Sequence, residues 1–316
     1  MTTTSSTDAS IAAWDLGEIT VRRVDETDLP LQTGPWLLPA ATKEVIDEAP
    51  WLRPDFASDV PHLASHTFAV EAGDLKVIVD TGIGNYKDRS NPAWDHLDTD
   101  YFERLTAAGF GPGSVDLVIN THLHTDHVGW NTRLENGQWV PTFPRARYVV
   151  SRTEWDYWTG AEMDDSRRQM FRDSVYPIRD SGQFDLRDVP GDGLSIAPGI
   201  RLVGAPGHTP GQVAVELRGH SRTALITGDS IHHPVQLSHP HVTSCADIDP
   251  GQAHKTRAQL LERVAGTGTL LLGTHFPKPT AGTVHGDGEG YRLLPEPGTG
   301  HAGRAATATR QDPEAV

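Results

Sequence analysis

Thr121-His122-Leu123-His124-Thr125-Asp126-His127-Val128-Gly129-Trp130 is the stretch whose reading decides the fold. It crowds four strong metal-ligand side chains, His122, His124, Asp126 and His127, into six positions. Neutral imidazole and carboxylate together suit zinc and related divalent transition metals, and such crowding in a loop makes little structural sense without a metal. His122 and His124 are two apart in an extended segment, so their rings project to the same side and can share one ion. Asp126 and His127 point differently, which suits a second ion.

Upstream, Val115 to Asn120 reads as a buried strand that empties directly into this loop. Before it, the apolar run from His66, the Ala72-Gly73-Asp74 turn and Leu75 to Val79 read as a β-hairpin delivering Asp80-Thr81-Gly82 at its end. A helix between them is expected to start at Asp98 or Thr99 and to stop at Gly109. Downstream, Asn136-Gly137 marks a second hairpin, and Ser151-x-x-Glu154 has the spacing of a capping box opening a helix. Trp155, Tyr157 and Trp158 crowd that helix as packing residues.

The second half repeats the plan. A strand at Ile200 to Val203 ends in a Gly/Pro-rich loop around His208, and a hairpin ends at Gly228-Asp229. A helix beginning at Asp249-Pro250 buries Leu260, Leu261 and Val264, and a strand at Leu270 to Leu272 ends in Thr274-His275. Asp80 to His122 is 42 positions and Asp229 to His275 is 46 (122 − 80 and 275 − 229). Two related βαβ-rich halves facing each other would bring both sets of strand ends to one site, where α/β architectures usually place ligands. His208 and His275 are then the natural distant ligands. Asp229 falls between two ions, because a carboxylate can bridge metals roughly 3.5 to 4 Å apart. Asp80 is expected outside the metal shell, accepting an imidazole N–H and fixing that ring's orientation.

These motifs, Asp80-Thr81-Gly82, His122-x-His124-x-Asp126-His127, His208, Gly228-Asp229 and His275, resemble those of metallo-β-lactamase-fold hydrolases. The resemblance implies an α/β fold, an αββα sandwich with the metal site at the edge of its two sheets. It also implies that one metal takes His122, His124 and His208, the other takes Asp126, His127 and His275, and Asp229 bridges. The flanking phrases Thr121 to Asn131 and Gly228 to Pro234 are similar to those of quorum-quenching lactonases, organophosphate hydrolases and chloroaromatic hydrolytic dehalogenases. Acyl-homoserine lactonases usually carry a tyrosine three residues after the bridging aspartate, where it helps hold the substrate carbonyl; here that residue is His232.

The function expected is hydrolysis of a small electrophile, a lactone or ester first, by a hydroxide bridging two divalent ions. Zinc is the first choice, with manganese, cobalt or iron as alternatives. Asp126, Asp229 and His232 are the candidate catalytic residues. An organophosphate or a chloroaromatic is the alternative substrate, and an iron-dependent redox enzyme on the same fold the remoter one. Complete ligands for a second metal and His124 in place of a carboxylate disfavour that last class.

The chain of 316 residues can bury a substantial core. Its net charge of −15 argues against a nucleic-acid surface. One cysteine, Cys245, excludes an intrachain disulfide and points to a reducing compartment. Residues 1–10 read as no secretory signal, and no apolar run is long enough to span a bilayer, so a cytoplasmic setting with a small-molecule substrate and no membrane partner is expected. Residues 1–13 are expected to be a disordered lead, 14–295 the hydrolase domain and 296–316 a disordered tail. The Pro- and Trp-rich stretch from Asp28 to Pro61 reads as a lid or wall. Within it, Trp36, Trp51 and Leu52 are candidates for a lid or a homodimer contact.

Overall fold

The computed structural model describes residues 11–301. In chain order the strands are β1 (Ile11–Asp15), β2 (Ile19–Asp28), β3 (Ala64–Ala72), β4 (Leu75–Val79), β5 (Leu117–Ile119), β6 (Thr132–Glu135), β7 (Gln138–Pro141), β8 (Arg147–Ser151) and β9 (Phe184–Arg187). They are followed by β10 (Leu194–Ala197), β11 (Ile200–Gly204), β12 (Val213–Arg218), β13 (Thr223–Ile226), β14 (Leu270–Leu272), β15 (Ala281–Asp287), β16 (Gly290–Pro295) and β17 (Thr299–His301). One sheet has the order β17-β1-β2-β3-β4-β5-β8-β9 and the other β10-β11-β12-β13-β14-β15-β16, while β6 and β7 form a separate hairpin closed by Asn136-Gly137.

Alternation along the strands builds the layers. Val77 and Val79 of β4 point to the space between the sheets, where they meet Leu202, Val215, Leu270 and Leu272 of the second sheet. Ile78, between them, points outward and packs with Val118 against Tyr101 and Leu105 of the helix Tyr101–Ala107. The second sheet mirrors this: Leu271 and Leu225 face outward to Leu260, Leu261 and Val264 of the helix Pro250–Val264. A two-residue period on two sheets and a helix layer outside each give the αββα sandwich. Each buried leucine or valine contributes about 1.5–3 kcal/mol, so removing Leu271 side-chain atoms would cost both helix and sheet their packing.

The duplicated plan is visible in the register. β4 and β5 are parallel neighbours, as are β13 and β14, with Val77 opposite Leu117 and Ala224 opposite Leu270. Asp80 follows β4 and Asp229 follows β13; Thr121-His122 follows β5 and Thr274-His275 follows β14. The four strand ends therefore lie at one rim.

Three expectations need correction. The domain limits 14–295 are too narrow: β1 starts at Ile11 and pairs with β17, Ile11 opposite His301. Ile11, Ala12 and Ala13 directly follow a run of Thr and Ser, and Thr299 to His301 lie among Gly, Ala and Thr, so neither segment stood out as a strand, but edge pairing needs only backbone groups. Residues 1–10 and 302–316, the rest of the expected lead and tail, lie outside the described residues. Second, the 101–107 helix takes Asp100, not Asp98 or Thr99, as its N-cap, and it does so without a side-chain cap bond. Third, Trp51 and Leu52 are not free for a dimer contact. Leu52 is buried and half-buried Trp51 packs edge-on against Phe56, closing the wall that Leu38 and Ile46 also build over the second sheet. Only Trp36 of that trio stands out, 61% exposed at the rim.

Candidate metal centre

Asp80 sits at the end of β4 with φ of 54°, a left-handed conformation that costs a non-glycine residue energy and marks a constrained site. Its carboxylate accepts from the Thr121 backbone N–H (2.7 Å) and the Thr121 hydroxyl (2.8 Å), and its Oδ2 lies 2.9 Å from His127 Nδ1. The loop after Asp80 is laced to the metal-ligand loop by backbone bonds: Thr81 N donates to His127 O, Gly129 N to Gly82 O and Trp130 N to Thr81 O. The approach is so close that a Cβ on Gly129 would fall 1.9 Å from Ile83 O, which explains why glycine ends the motif.

His122, His124 and His208 converge with Asp229 so that one ligand atom from each lies within 4.8 Å of the others. Asp126, His127 and His275 form a second such group. Asp229 stands between them and divides its oxygens: Oδ2 is 3.3 Å from His208 Nε2 and 3.8 Å from His122 Nε2, while Oδ1 is 3.2 Å from His275 Nε2 and 3.3 Å from His127 Nε2. All seven residues named from the sequence thus meet, drawn from both halves of the fold.

The outward nitrogens of these rings are tethered. His127 Nδ1 donates to Asp80, His208 Nδ1 lies 2.9 Å from Asp247 Oδ1, and His275 Nδ1 lies 3.1 Å from Ala64 O. Each tether fixes a tautomer and turns the Nε2 lone pair toward Asp229. His124 is the exception, facing His208 Nε2 through its own Nδ1 at 2.9 Å.

The residues fit metal ions on their own evidence. His122 Nε2 and Asp229 Oδ1 are buried without a hydrogen-bond partner of acceptable geometry. Bare imidazole nitrogens 2.9 and 3.3 Å apart, as in His124–His208 and His127–His275, gain nothing from each other unless a cation or proton lies between. Burial, then neighbouring imidazoles, push His122 and His124 well below the usual histidine range. For Asp229 burial acts to raise the pKa, yet His127, His275 and His232 hold it well below the usual carboxylate range. For His127 burial likewise opposes charge, and Asp229, Asp80 and Asp126 overcome it, raising the pKa well above normal. Low-pKa imidazoles beside a firmly ionised carboxylate are the donors a divalent ion takes.

His232 also reaches the cluster. It is fully buried, its Nε2 is 3.3 Å from Asp229 Oδ2, its ring stacks on His275 at 6.0 Å, and neither ring nitrogen has a hydrogen-bond partner. His233 does not: its Nε2 lies 2.7 Å from Phe56 O, its Nδ1 accepts from Val235 N, and burial holds its pKa down at about 4.

A cavity of about 290 Å³ opens above the cluster, lined by Asp126, His232, Trp158, Arg167, Trp94 and Trp36 among others. Trp158, expected only as packing, is part of that wall, its ring 5.6 Å from His124. Two positioning residues carry no readable signal of that role in the sequence. Asp247 lies in a loop with no motif around it. Glu154 has the spacing of a capping box, but Ser151 makes no side-chain cap bond. Glu154 instead turns inward, fully buried, and accepts from Leu123 N (3.0 Å), Trp158 Nε1 (2.7 Å), Thr209 Oγ1 (2.6 Å) and Gly211 N (3.1 Å). It joins the ligand loop of one half to the His208 loop of the other.

The fold and site define a class: residues 60–275 match the metallo-beta-lactamase superfamily model, and the chain belongs to that superfamily. Among curated proteins it is similar to the N-acyl homoserine lactonase AttM of Agrobacterium fabrum (strain C58 / ATCC 33970), 27% identical over 181 residues, 55% of this chain and 63% of that protein. It is also similar to an N-acyl homoserine lactonase of Bacillus thuringiensis, 26% identical over 127 residues, 40% of this chain and 42% of that protein. The matches therefore span less than two thirds of either relative. Among solved structures, AidC, a dizinc quorum-quenching lactonase, superposes with a TM-score of 0.75 at 21% identity, covering 92% of this chain and 98% of that one. The hydrolase AbOPH of the beta lactamase superfamily gives 0.74 at 24% identity, covering 91% and 98%. At these identities the structural likeness is one of fold.

Proposed function

We propose that this chain is a dinuclear metal-dependent hydrolase of a small lactone or ester. The observation that carries the reading is the division of Asp229: each carboxylate oxygen faces a separate three-residue ligand group. His122, His124 and His208 would hold one ion, Asp126, His127 and His275 the other, and Asp229 both. The chemistry such a pair supplies when bound is Lewis acidity toward the substrate's electrophilic oxygen and a water acidic enough to act as nucleophile near neutral pH. Zinc suits this N/O donor set. The chain's own side chains do the positioning. Asp80, Asp247 and Ala64 O lock three imidazoles in one tautomer, and buried Asp229 stays ionised. His232, with free ring nitrogens at the cavity floor, takes the position of the lactonase tyrosine and donates to a substrate oxygen.

Lactonases among the relatives support the choice of lactone over other electrophiles. No helix among the described residues is long and apolar enough to cross a membrane. The test is metal content per chain together with hydrolysis of a lactone, aryl ester, organophosphate and chloroaromatic panel. We expect two ions per chain and fastest turnover of a lactone or ester. An Asp126→Asn variant is expected to lose one ion preferentially and to fall at least a hundredfold in turnover. Fewer than two ions with no activity after reloading, or equal loss at both positions in the variant, would overturn the reading.

A further inference from the structure

Of the residues lining the cavity above the ligand cluster, Arg167 alone is a lysine or arginine. It is half-buried, and its guanidinium carbon lies 3.9 Å over the Trp158 ring. Nη1 donates to Leu123 O at 3.0 Å, between His122 and His124 in sequence. Stacking uses the face of the guanidinium and Leu123 one edge, so Nε and Nη2 have no protein partner among the described residues. No carboxylate among those residues pairs with it at ion-pair distance, although Asp164, Glu154 and Asp126 are near enough to favour its charge against the burial that opposes it.

Its placement is rigid. Asp164 caps the helix Asp165–Met170 by accepting from Arg167 N at 2.7 Å, and Met170 with Phe171 anchors that helix in a core cluster shared with Leu123 and Val128. Trp158 is itself fixed by its bond to Glu154. A cation held in place over an aromatic wall, with hydrogen-bond donors still to satisfy, is built for a planar oxygen acceptor. Because its freedom is already lost in the folded protein, binding has little ordering to overcome.

We propose that Arg167 is the substrate-recognition cation of this site and that the substrate carries a second oxygen acceptor, a carboxylate or an amide carbonyl, beside its scissile bond. The substrate class is thereby an acceptor-substituted lactone or ester rather than a bare one. The reaction named in this class rests on the hydrolase reading; the binding role of Arg167 does not.

The metal-loaded full chain and its Arg167→Ala and Arg167→Lys variants are assayed on three matched substrates: a lactone, the same lactone bearing an acylamino group, and the same lactone bearing a carboxylate. For at least one substituted lactone, the ratio of its kcat/KM to that of the bare lactone is expected to fall about tenfold to a hundredfold in Arg167→Ala, mainly through KM. Lysine, lacking the fork, restores less than half of that loss on a logarithmic scale. The substituent whose ratio falls identifies the acceptor. Unchanged ratios for both overturn the proposal. Independently, hexanoate and hexanamide are titrated against tryptophan fluorescence, with the Trp158→Phe signal subtracted. Binding of one of them that weakens about tenfold in Arg167→Ala supports the proposal, and indifference to both probes overturns it even where the variants are too unstable to assay. If no lactone is hydrolysed while probe binding still depends on Arg167, the reaction reading fails and the Arg167 assignment stands.

Discussion

Glu154 shows how much of the site depends on one residue that touches no ligand position. Four donors converge on its two oxygens, two from the His122 and His208 loops' backbones and two from Thr209 and Trp158. Replacing it by Gln sets an N–H₂ against donors, leaving at least one buried group unpaired at a cost of about 2–3 kcal/mol. Glu154→Gln is expected to lower the melting temperature and to release metal first from the His122–His124–His208 group; elemental analysis after dialysis against a weak chelator checks it. Equal retention at both groups would count against a positioning role. The histidines and Asp229 were legible in the sequence because metal donors are few in kind and lie in short, recognisable spacings. Glu154 and Asp247 were not, since a carboxylate that serves backbone N–H groups and one ring nitrogen is set by the tertiary path of loops far away in sequence. Arg167 was hidden for the same reason: nothing in the residues around it tells which wall it faces.

A π-helical turn, Phe171–Val175, joins the helices Asp165–Met170 and Tyr176–Asp180. It turns Asp173 inward while Phe171 and Val175 stay in the core. Asp173 accepts a bidentate pair from Arg89 at 2.8 and 2.9 Å and lies 3.5 Å from Lys87 Nζ. Lys87 in turn donates to Thr132 Oγ1 and sits 3.7 Å over the Trp139 ring. One acid thereby ties the loop carrying Trp94, the β6–β7 hairpin and the helix carrying Arg167 into a single wall. Burial, with help from Arg89 and against Asp173, brings the Lys87 pKa down to about 7. In the unfolded chain lysine titrates near about 10.4, so between those values the unfolded state holds a proton that the folded site has released. The stability cost of burying Lys87 is therefore full below pH 7 and relieved as pH rises toward 10. Stability of the wild type relative to Lys87→Met should rise across that window by up to a few kcal/mol, on the order of 1.4 kcal/mol for each step of one in pH, read from denaturant midpoints. A flat difference would show that Lys87 keeps its proton. No sequence period announces such an element, because its residues form one face only once the extra residue of the turn is in place.

At the scale of the whole molecule, the layers were legible because strand alternation and helical spacing each carry their own period. Val77, Ile78 and Val79 already assign two faces. The edges were not, because β17 and β1 come from opposite ends of the described chain and pair through backbone groups. Those ends are held by more than the ladder: Trp14 Nε1 donates to Glu296 O at 2.8 Å, and Arg222 makes a bidentate pair with Glu296 at 2.6 and 2.7 Å. Ending the chain after Pro295 removes all of these. The expected result is a melting temperature lower by about 5 °C and faster amide exchange across Ile11–Asp15, with metal content retained. Unchanged exchange there would mean that β1 holds to β2 without its outer neighbour.

Ile11 lies opposite His301, so the path of the backbone through space closes on itself like a clasped bracelet. A loop of that kind has no privileged first residue. Joining the two ends and reopening the ring at Asn136-Gly137, the exposed turn of a hairpin that belongs to neither large sheet, would leave every neighbour of Asp229 where it stands. What the centre needs from the chain is the meeting of four strand ends, and the order in which they are written is incidental to it.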